Sequence, residues 1–337
     1  MRAPEPSFGH LLRLSDDTGL LEHATGPLPR RVHGYCVDDV ARGLVVLCRQ
    51  PDPSPDLVRL AERYLAFVVH AQEPDGRSHN RLSYGRRWLD EAATGDWWGR
   101  GLWALGTAVA RPLEPWMAGE ARRRFELGAA RRSPSPRAMA FAALGAAEVA
   151  AAHPGDDTAC HLLADAVAVV GRPTGDPGWP WPEPRLTYAN ALIPEALLAA
   201  GAALGDDGLV ADGLDLLGWL FDLETGPGHL SPTPCHGWGP GEPRPGFDQQ
   251  AIEAATLADA CARAYALTGD GRWAEAVGTA ADWFLGGNDC GISLHEPATG
   301  GGYDGLEPGG RNDNQGAEST LALVSTLQHA RRLGGRR

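Results

Sequence analysis

Residues 311–324, Arg-Asn-Asp-Asn-Gln-Gly-Ala-Glu-Ser-Thr-Leu-Ala-Leu-Val, carry the pattern that most constrains this chain. A polar, turn-forming run from Arg311 to Asn314 leads straight into a helical stretch. Gln315 and Glu318 stand in its first turns, and Leu321, Val324 and Leu327 follow along its body. Asn and Asp favour helix starts because their side chains accept bonds from backbone N–H groups that lack a partner inside the helix. An ordinary surface helix has no need of amide, carboxylate and hydroxyl groups ahead of so apolar a body. The same layout recurs at 35–47, 96–105, 135–144, 188–197 and 247–257, making six helices with polar starts.

Apolar spacing and Pro/Gly punctuation predict eleven helices, over 38–49, 55–72, 97–110, 116–130, 135–152, 157–170, 190–204, 207–221, 249–267, 271–285 and 315–333. A short amphipathic piece precedes them at 10–14. Period-2 runs of β-branched residues are almost absent, so strands should be few. Long loops at 73–95, 171–187, 222–246 and 286–313 stand before the polar-start helices; only the link into the fifth helix is short. Loops of that length usually carry function. Hairpins alternating in this way close into a ring with an inner and an outer layer. The expected fold class is therefore all-α: an (α/α)6 toroid with long loops forming a bowl on one face. Its last outer helix is missing or supplied by the N-terminal segment. Residues 1–337 are expected to form one such domain, with 1–30 rich in loop. An open helical solenoid is the alternative, disfavoured by the irregular repeat.

The net charge of −13 argues against a nucleic-acid backbone or an anionic membrane as partner. Residues 1–9 lack the basic start and apolar run of a signal peptide, and 138–152 is too short and too weakly apolar to span a bilayer. Cys36, Cys48, Cys160, Cys235, Cys261 and Cys290 form no CxxC pair, which fits reduced thiols. The cytoplasm is the expected compartment.

Several polar groups are candidates at the bowl's mouth. Asp38 and Asp39 open the first helix and point about 100° apart, so one caps while the other faces the cavity. The plain structural reading adds an Asp38–Arg42 pair at i, i+4. Asp96, Trp97, Trp98 and Arg100 open the third helix, with Asp96 also a candidate cap. Asp248, Gln250 and Glu253 open the ninth; Glu253 sits in an apolar run and must face the cavity or find a partner. Carboxylates on adjacent inner helices, with axes roughly 8–10 Å apart, can fall at the roughly 5–9.5 Å spacings of glycosidase acid pairs. Asp39 with Glu318, or with Asp96, is the natural acid and base. Tryptophans in these loops, Trp238 among them, suit stacking on a sugar ring, although anchoring the loops is the plainer role. His33, His229, His236 and His295 also lie in bowl-side loops, yet no HExxH or close His–Asp spacing is present, so no metal or other cofactor is expected. There is no P-loop lysine and no GxSxG elbow.

Five strings then carry a resemblance: His-Gly-Tyr-Cys-Val-Asp-Asp-Val-Ala-Arg from His33, Gly-Arg-Gly-Leu-Trp-Ala-Leu-Gly from Gly99, Ser-Pro-Arg-Ala-Met-Ala-Phe from Ser135, Phe-Asp-Gln-Gln-Ala-Ile-Glu-Ala from Phe247 and Asn-Gln-Gly-Ala-Glu-Ser-Thr from Asn314. The chain resembles the six-hairpin (α/α)6 glycosidase-like superfamily, in a bacterial branch of glycosidase-like or glycosyltransferase-associated proteins. The resemblance runs from about His33 to Leu323. It implies a sugar-active or sugar-binding bowl, with Asp38, Asp39, Asp96, Arg100, Gln250, Glu253, Gln315 and Glu318 at the branch's polar positions. One departure stands out: Tyr188-Ala189-Asn190-Ala191-Leu192 replaces an expected Tyr-Asp-Asn-Ala-Arg, removing a carboxylate and a cation.

The expected function is a glycoside hydrolase-like enzyme acting on an oligosaccharide or glycoside. Asp39 and Glu318 lead as catalytic acids, followed by Asp96 and Glu253. Arg100, Gln250, Asn312 and Gln315 would bind hydroxyls, and Trp97, Trp98 and Trp238 would stack, with Asp38 and His236 completing the substrate side. A sugar epimerase or isomerase is an alternative that calls on His236 and His295. A non-catalytic glycan holder beside a glycosyltransferase is another, favoured by Ala189 and Leu192.

Overall fold

The computed structural model describes residues 3–334. Helix α1 (Gly9–Leu14) precedes five hairpins. These are α2 (Val37–Arg49) with α3 (Pro55–Ala71), α4 (Asp96–Ala110) with α5 (Pro115–Ala129), α6 (Pro136–Ala152) with α7 (Asp157–Val170), α8 (Leu192–Leu204) with α9 (Asp207–Glu224), and α10 (Ala251–Thr268) with α11 (Gly271–Phe284). Helix α12 (Ala317–Gly334) follows the last long loop. The even-numbered helices pack in the order α2, α4, α6, α8, α10, α12, and α12 returns to α2, so the ring closes. The odd-numbered helices form the outer layer, each against its hairpin partner. The sixth outer position falls to α1, which packs on α12 and is tied to it by a 2.8 Å bond between His10 Nε2 and the Gln315 carbonyl.

Sequence explains the two layers. An inner helix has neighbours all round and is buried nearly throughout, as α4 is from Trp98 to Val109. An outer helix buries one stripe, as α3 does with Leu57, Leu60, Ala61, Tyr64, Leu65 and Val68. Asp156 and Asp206 cap α7 and α9 by accepting from Ala159 N–H and Leu209 N–H.

Several helix starts differ from the sequence expectation, those of α10 and α12 by two residues each, and three of the differences bear on caps and turns. The N-cap of α2 is Cys36, so neither Asp38 nor Asp39 caps it. Gly95, not Asp96, is the N-cap of α4. Helix α8 begins at Leu192 because the chain turns first at Ala189, whose φ is +46°.

Short antiparallel strands lie in the loops ahead of the inner helices. β1 (Ala24–Thr25) pairs β2 (Leu28–Pro29), and β3 (Tyr35–Cys36) pairs β4 (Arg81–Leu82). β5 (Gln249–Gln250) pairs β8 (Gly305–Glu307), which also pairs β9 (Gly310–Arg311); β6 (His295–Glu296) pairs β7 (Gly301–Gly302). These pairings fasten the loops as a rim. β3–β4 sets Arg81 opposite Cys36 at the start of α2, and β5–β8 sets Gly305 opposite Gln250. A Cβ at Gly305 would come 2.1 Å from the Gln249 carbonyl oxygen, so only glycine permits that pairing.

No helix among the described residues is long and apolar enough to cross a membrane. The cysteines are free thiols.

Candidate active site

The starts of α2, α4 and α12 converge on two adjoining cavities of about 450 and 240 Å³. Asp38, Arg100, Gln250 and Glu318 line both. The larger cavity adds Asp96, Trp97 and Tyr188; the smaller adds Asp39, Arg42 and Asp304.

Arg42 is the hub. Its Nη2 lies 2.6 Å from Asp39 Oδ1 and 3.0 Å from Glu318 Oε2, and its Nε donates to the Asp38 carbonyl at 3.1 Å. The expected i, i+4 pair with Asp38 is therefore replaced by an i, i+3 pair with Asp39 and a long-range pair with Glu318. Arg100 takes the Asp38 carboxylate instead, at 2.8 Å. Its guanidinium stacks over Phe141, 4.5 Å from the ring centre, which fixes its plane. Asn80 Nδ2 donates to the other Asp38 oxygen at 3.0 Å.

These contacts split the acids electrostatically. Burial alone would raise the Asp38 carboxyl, but Arg100, Arg42 and Asn80 overcome it and hold it below the usual range. Asp39 goes the other way: burial pushes it up to about 7 against the pull of Arg42. Burial also raises Asp96 and Asp304, the latter with help from the nearby Glu318. Glu318 is the open member, its side chain 36% exposed against 5% for Asp39. Only its Oε2 is engaged by Arg42. Arg42 Nη1 and Arg100 Nε are buried donors without a partner among the described residues.

Other expected residues stand elsewhere. Glu253 finds a partner rather than the cavity. Its Oε1 accepts from Ala189 N–H at 2.5 Å and its Oε2 from Asn190 N–H at 3.1 Å, fixing the turn into α8. Trp98 is buried toward the outer layer and donates to the Gly128 carbonyl at 3.3 Å. Trp238 anchors its own loop, donating to the Glu242 carbonyl and packing edge-on against Trp179. The Gln315 side chain is buried and accepts from Thr299. Asn312 bonds Glu307, and exposed His236 lies against Cys235. Neither His236 nor His295 lines the two cavities; the histidine that does is His23.

Sequence reasoning did not single out Glu22, Asn80, Arg81 or Asp304 and named Tyr188 and Asn314 only within longer strings, yet all six line the walls. All come from loops and carry no periodic signal. Arg42 had one: a cation inside the apolar run Val40 to Leu47.

Another cavity, of about 610 Å³, lies by the C-terminal ends of the inner helices, near Arg49, Arg111 and Leu267. Two of its arginines are spent on acids: Arg49 on Asp259 at 2.7 Å and Arg263 on Glu195 at 3.2 Å. The bowl floor instead leaves a carboxylate oxygen of half-exposed Glu318 open, so chemistry points there.

No family model matches the sequence, and no curated protein matches it either. Solved structures do. A cellobiose 2-epimerase from Spirochaeta thermophila superposes with a TM-score of 0.71 at 11% identity, over 97% of this chain and 93% of that one. A sugar epimerase from a ruminal bacterium gives 0.71 at 14%, over 96% and 95%. The fold is the (α/α)6 toroid. A metagenome-derived glycoside hydrolase family 9 endoglucanase shares it, with a TM-score of 0.62 at 14% identity over 93% of this chain and 70% of that one. The toroid thus carries both epimerisation and hydrolysis among its relatives by shape, and residues must decide between them.

Proposed function

We propose that this protein is a carbohydrate-active, glycoside hydrolase-like enzyme that cleaves a glycosidic bond with Asp96 and Glu318. One observation carries the reading. Asp96, held toward its protonated form by burial, and Glu318, with a free oxygen in the most open position, line one cavity of about 450 Å³. Asp96 supplies the proton to the glycosidic oxygen. Glu318 activates water or attacks the anomeric carbon. Asp39 serves from beneath by fixing Arg42, and Asp38 by fixing Arg100. Gln250 takes sugar hydroxyls, the Arg100 guanidinium lines the same cavity, and Trp97 offers a ring face at the same wall.

The isomerase reading loses its histidine pair, since His236 and His295 line neither cavity. The full-length match to epimerases keeps it as an outcome to be measured.

The test is turnover of aryl glycosides and oligosaccharides, with and without phosphate, by wild type, Asp96→Asn, Glu318→Gln and Asp39→Asn. Sugar release that drops about 10²-fold or more in the first two variants is expected. Release that survives in both overturns the assignment. Interconversion without cleavage selects the isomerase. A glycan-induced melting shift without any turnover selects the binding module, the reading that would place it beside a glycosyltransferase.

A further inference from the structure

A second cluster of reactive side chains stands on the loop before β5, apart from the bowl floor. Cys235, His236 and Asp248 each bring a ligand-capable atom within 4.8 Å of the others. Cys235 Sγ lies 3.5 Å from His236 Nδ1. A tetrahedral Zn²⁺, with Zn–S near 2.3 Å and Zn–N near 2.0–2.1 Å, holds its sulfur and nitrogen roughly 3.6 Å apart. The two donors therefore already sit at the edge length of such a site.

The backbone fixes the three residues before any ion arrives. Cys235 N–H donates to the Asp248 carbonyl at 2.9 Å, joining the two segments. Trp238 and Leu186 exchange bonds of 3.0 and 2.8 Å, and Gly237 N–H closes the turn onto the Pro234 carbonyl at 2.8 Å. Gly237 has φ +71°, and a Cβ there would come 2.4 Å from the Leu186 carbonyl oxygen, so the turn is held tightly. Cys235 and His236 are exposed and Asp248 is half-buried. Among the described residues no hydrogen bond or ion pair engages the Asp248 carboxylate. The other close trio, Glu22, Cys36 and Asp39, differs in this respect: Arg81 and Arg42 already neutralise its acids.

We propose that Cys235, His236 and Asp248 bind a borderline-soft divalent transition metal, Zn²⁺ in preference to Mg²⁺ or Ca²⁺. Sulfur and imidazole ligands suit Zn²⁺, Co²⁺ and Ni²⁺, whereas Mg²⁺ and Ca²⁺ take oxygen. The thiol loses its proton to solvent on binding, and a fourth position is left for water. An ion there clips residues 235–236 to Asp248, two residues before Gln250 on the bowl wall.

The test uses untagged full-length protein, stripped with chelator and kept reduced, titrated with Co²⁺ and then Zn²⁺. Expected are one equivalent bound, a thiolate-to-cobalt charge-transfer band bleached by Zn²⁺, and a raised melting temperature. Cys235→Ser should abolish the band, and His236→Ala and Asp248→Asn should each weaken binding about tenfold or more. Cys290→Ser, removing another partly exposed thiol, should leave the band intact. Circular dichroism checks that each variant is folded. No band in wild type, a band that persists in Cys235→Ser, or one unaffected by both His236→Ala and Asp248→Asn overturns the site.

Discussion

Arg42 and Glu318 are 276 residues apart in sequence and 3.0 Å apart in space. Their contact lies where the first and last inner helices meet, so the pair that helps build the bowl floor also marks the closure of the ring. Asp39 completes the arrangement from below at 2.6 Å. Its burial means that it depends on Arg42 far more than Glu318 does.

Replacing Arg42 with Met should therefore destabilise the protein mainly through Asp39. Breaking a buried pair by removing one partner costs roughly 3–5 kcal/mol, because a charge is left buried without compensation. Burial already raises Asp39 to about 7 against the pull of Arg42, so without that cation Asp39 takes its proton at still higher pH and is neutral in the folded state well below it. Urea denaturation should show the larger loss at pH 8 and a smaller one at pH 5. The double variant Asp39→Asn, Arg42→Met should recover much of the loss at pH 8. A loss independent of pH, with no recovery, would place the cost elsewhere.

Glu253 gives a second pH signature. Burial pushes it up to about 8, against the backbone N–H groups of Asn190 and Ala189 that pull it down. A raised folded-state value means that the contribution is fully present below the unfolded value of about 4.5. It is lost as pH rises through about 8. Gln cannot titrate, so Glu253→Gln should match wild type most closely near pH 5 and gain on it toward pH 8. The slope is at most ~1.4 kcal/mol per pH unit. Melting temperatures measured from pH 5 to 8 give the comparison; parallel curves would show that Glu253 stays ionised throughout.

Trp97 donates from Nε1 to the Ser78 carbonyl at 2.6 Å, which fixes its ring at the wall shared with Asp96. Trp97→Ala should raise KM about 2- to 10-fold for a glycoside substrate, with kcat changed less. That range corresponds to an aromatic stacking contribution of ~0.5–1.5 kcal/mol. Equal falls in kcat and kcat/KM would instead mean that Trp97 acts on the transition state.

The ring was legible in the sequence because each segment advertises itself. Prolines before and glycines after the helices, together with apolar spacing, set the elements within two residues, except the end of α9, which runs three residues further to Glu224. The misjudged starts came from contacts at long range. Glu253 on α10 holds Ala189 at φ +46° and so delays α8, and no local rule sees that bond. The site was legible where a charge interrupts an apolar run, as with Asp39 and Glu253, although the same signal equally marks a structural bond. Asn80 and Arg81 were not legible: they reach the floor only through β3–β4 pairing between loops some 45 residues apart. Trp98 was misplaced because adjacent helical positions point in different directions, one to the bowl and the next into the wall, and Gln315 because it lies in the loop before α12, where helical spacing does not apply.

The closeness of α4 and α6 rests on glycine. A Cβ on Gly145 would come 2.2 Å from the Leu102 carbonyl oxygen, and one on Gly106 would come 2.1 Å from the Gly145 carbonyl oxygen. Both obstacles are backbone, so no side chain can swing aside to make room. In a solvent-exposed helix, Gly→Ala gains about 1 kcal/mol from propensity. Here the same change must push two inner helices apart, and overpacking of that kind costs roughly 1–3 kcal/mol or more. Gly145→Ala is therefore expected to lower stability in urea, whereas Gly119→Ala, on outer helix α5 with nothing within 4 Å of its Cβ, should raise it. Because α4 carries Asp96 and Arg100, the Gly145→Ala variant should also lose activity at temperatures where it remains folded. A stable, fully active Gly145→Ala protein would mean that the two helices can separate without disturbing the floor.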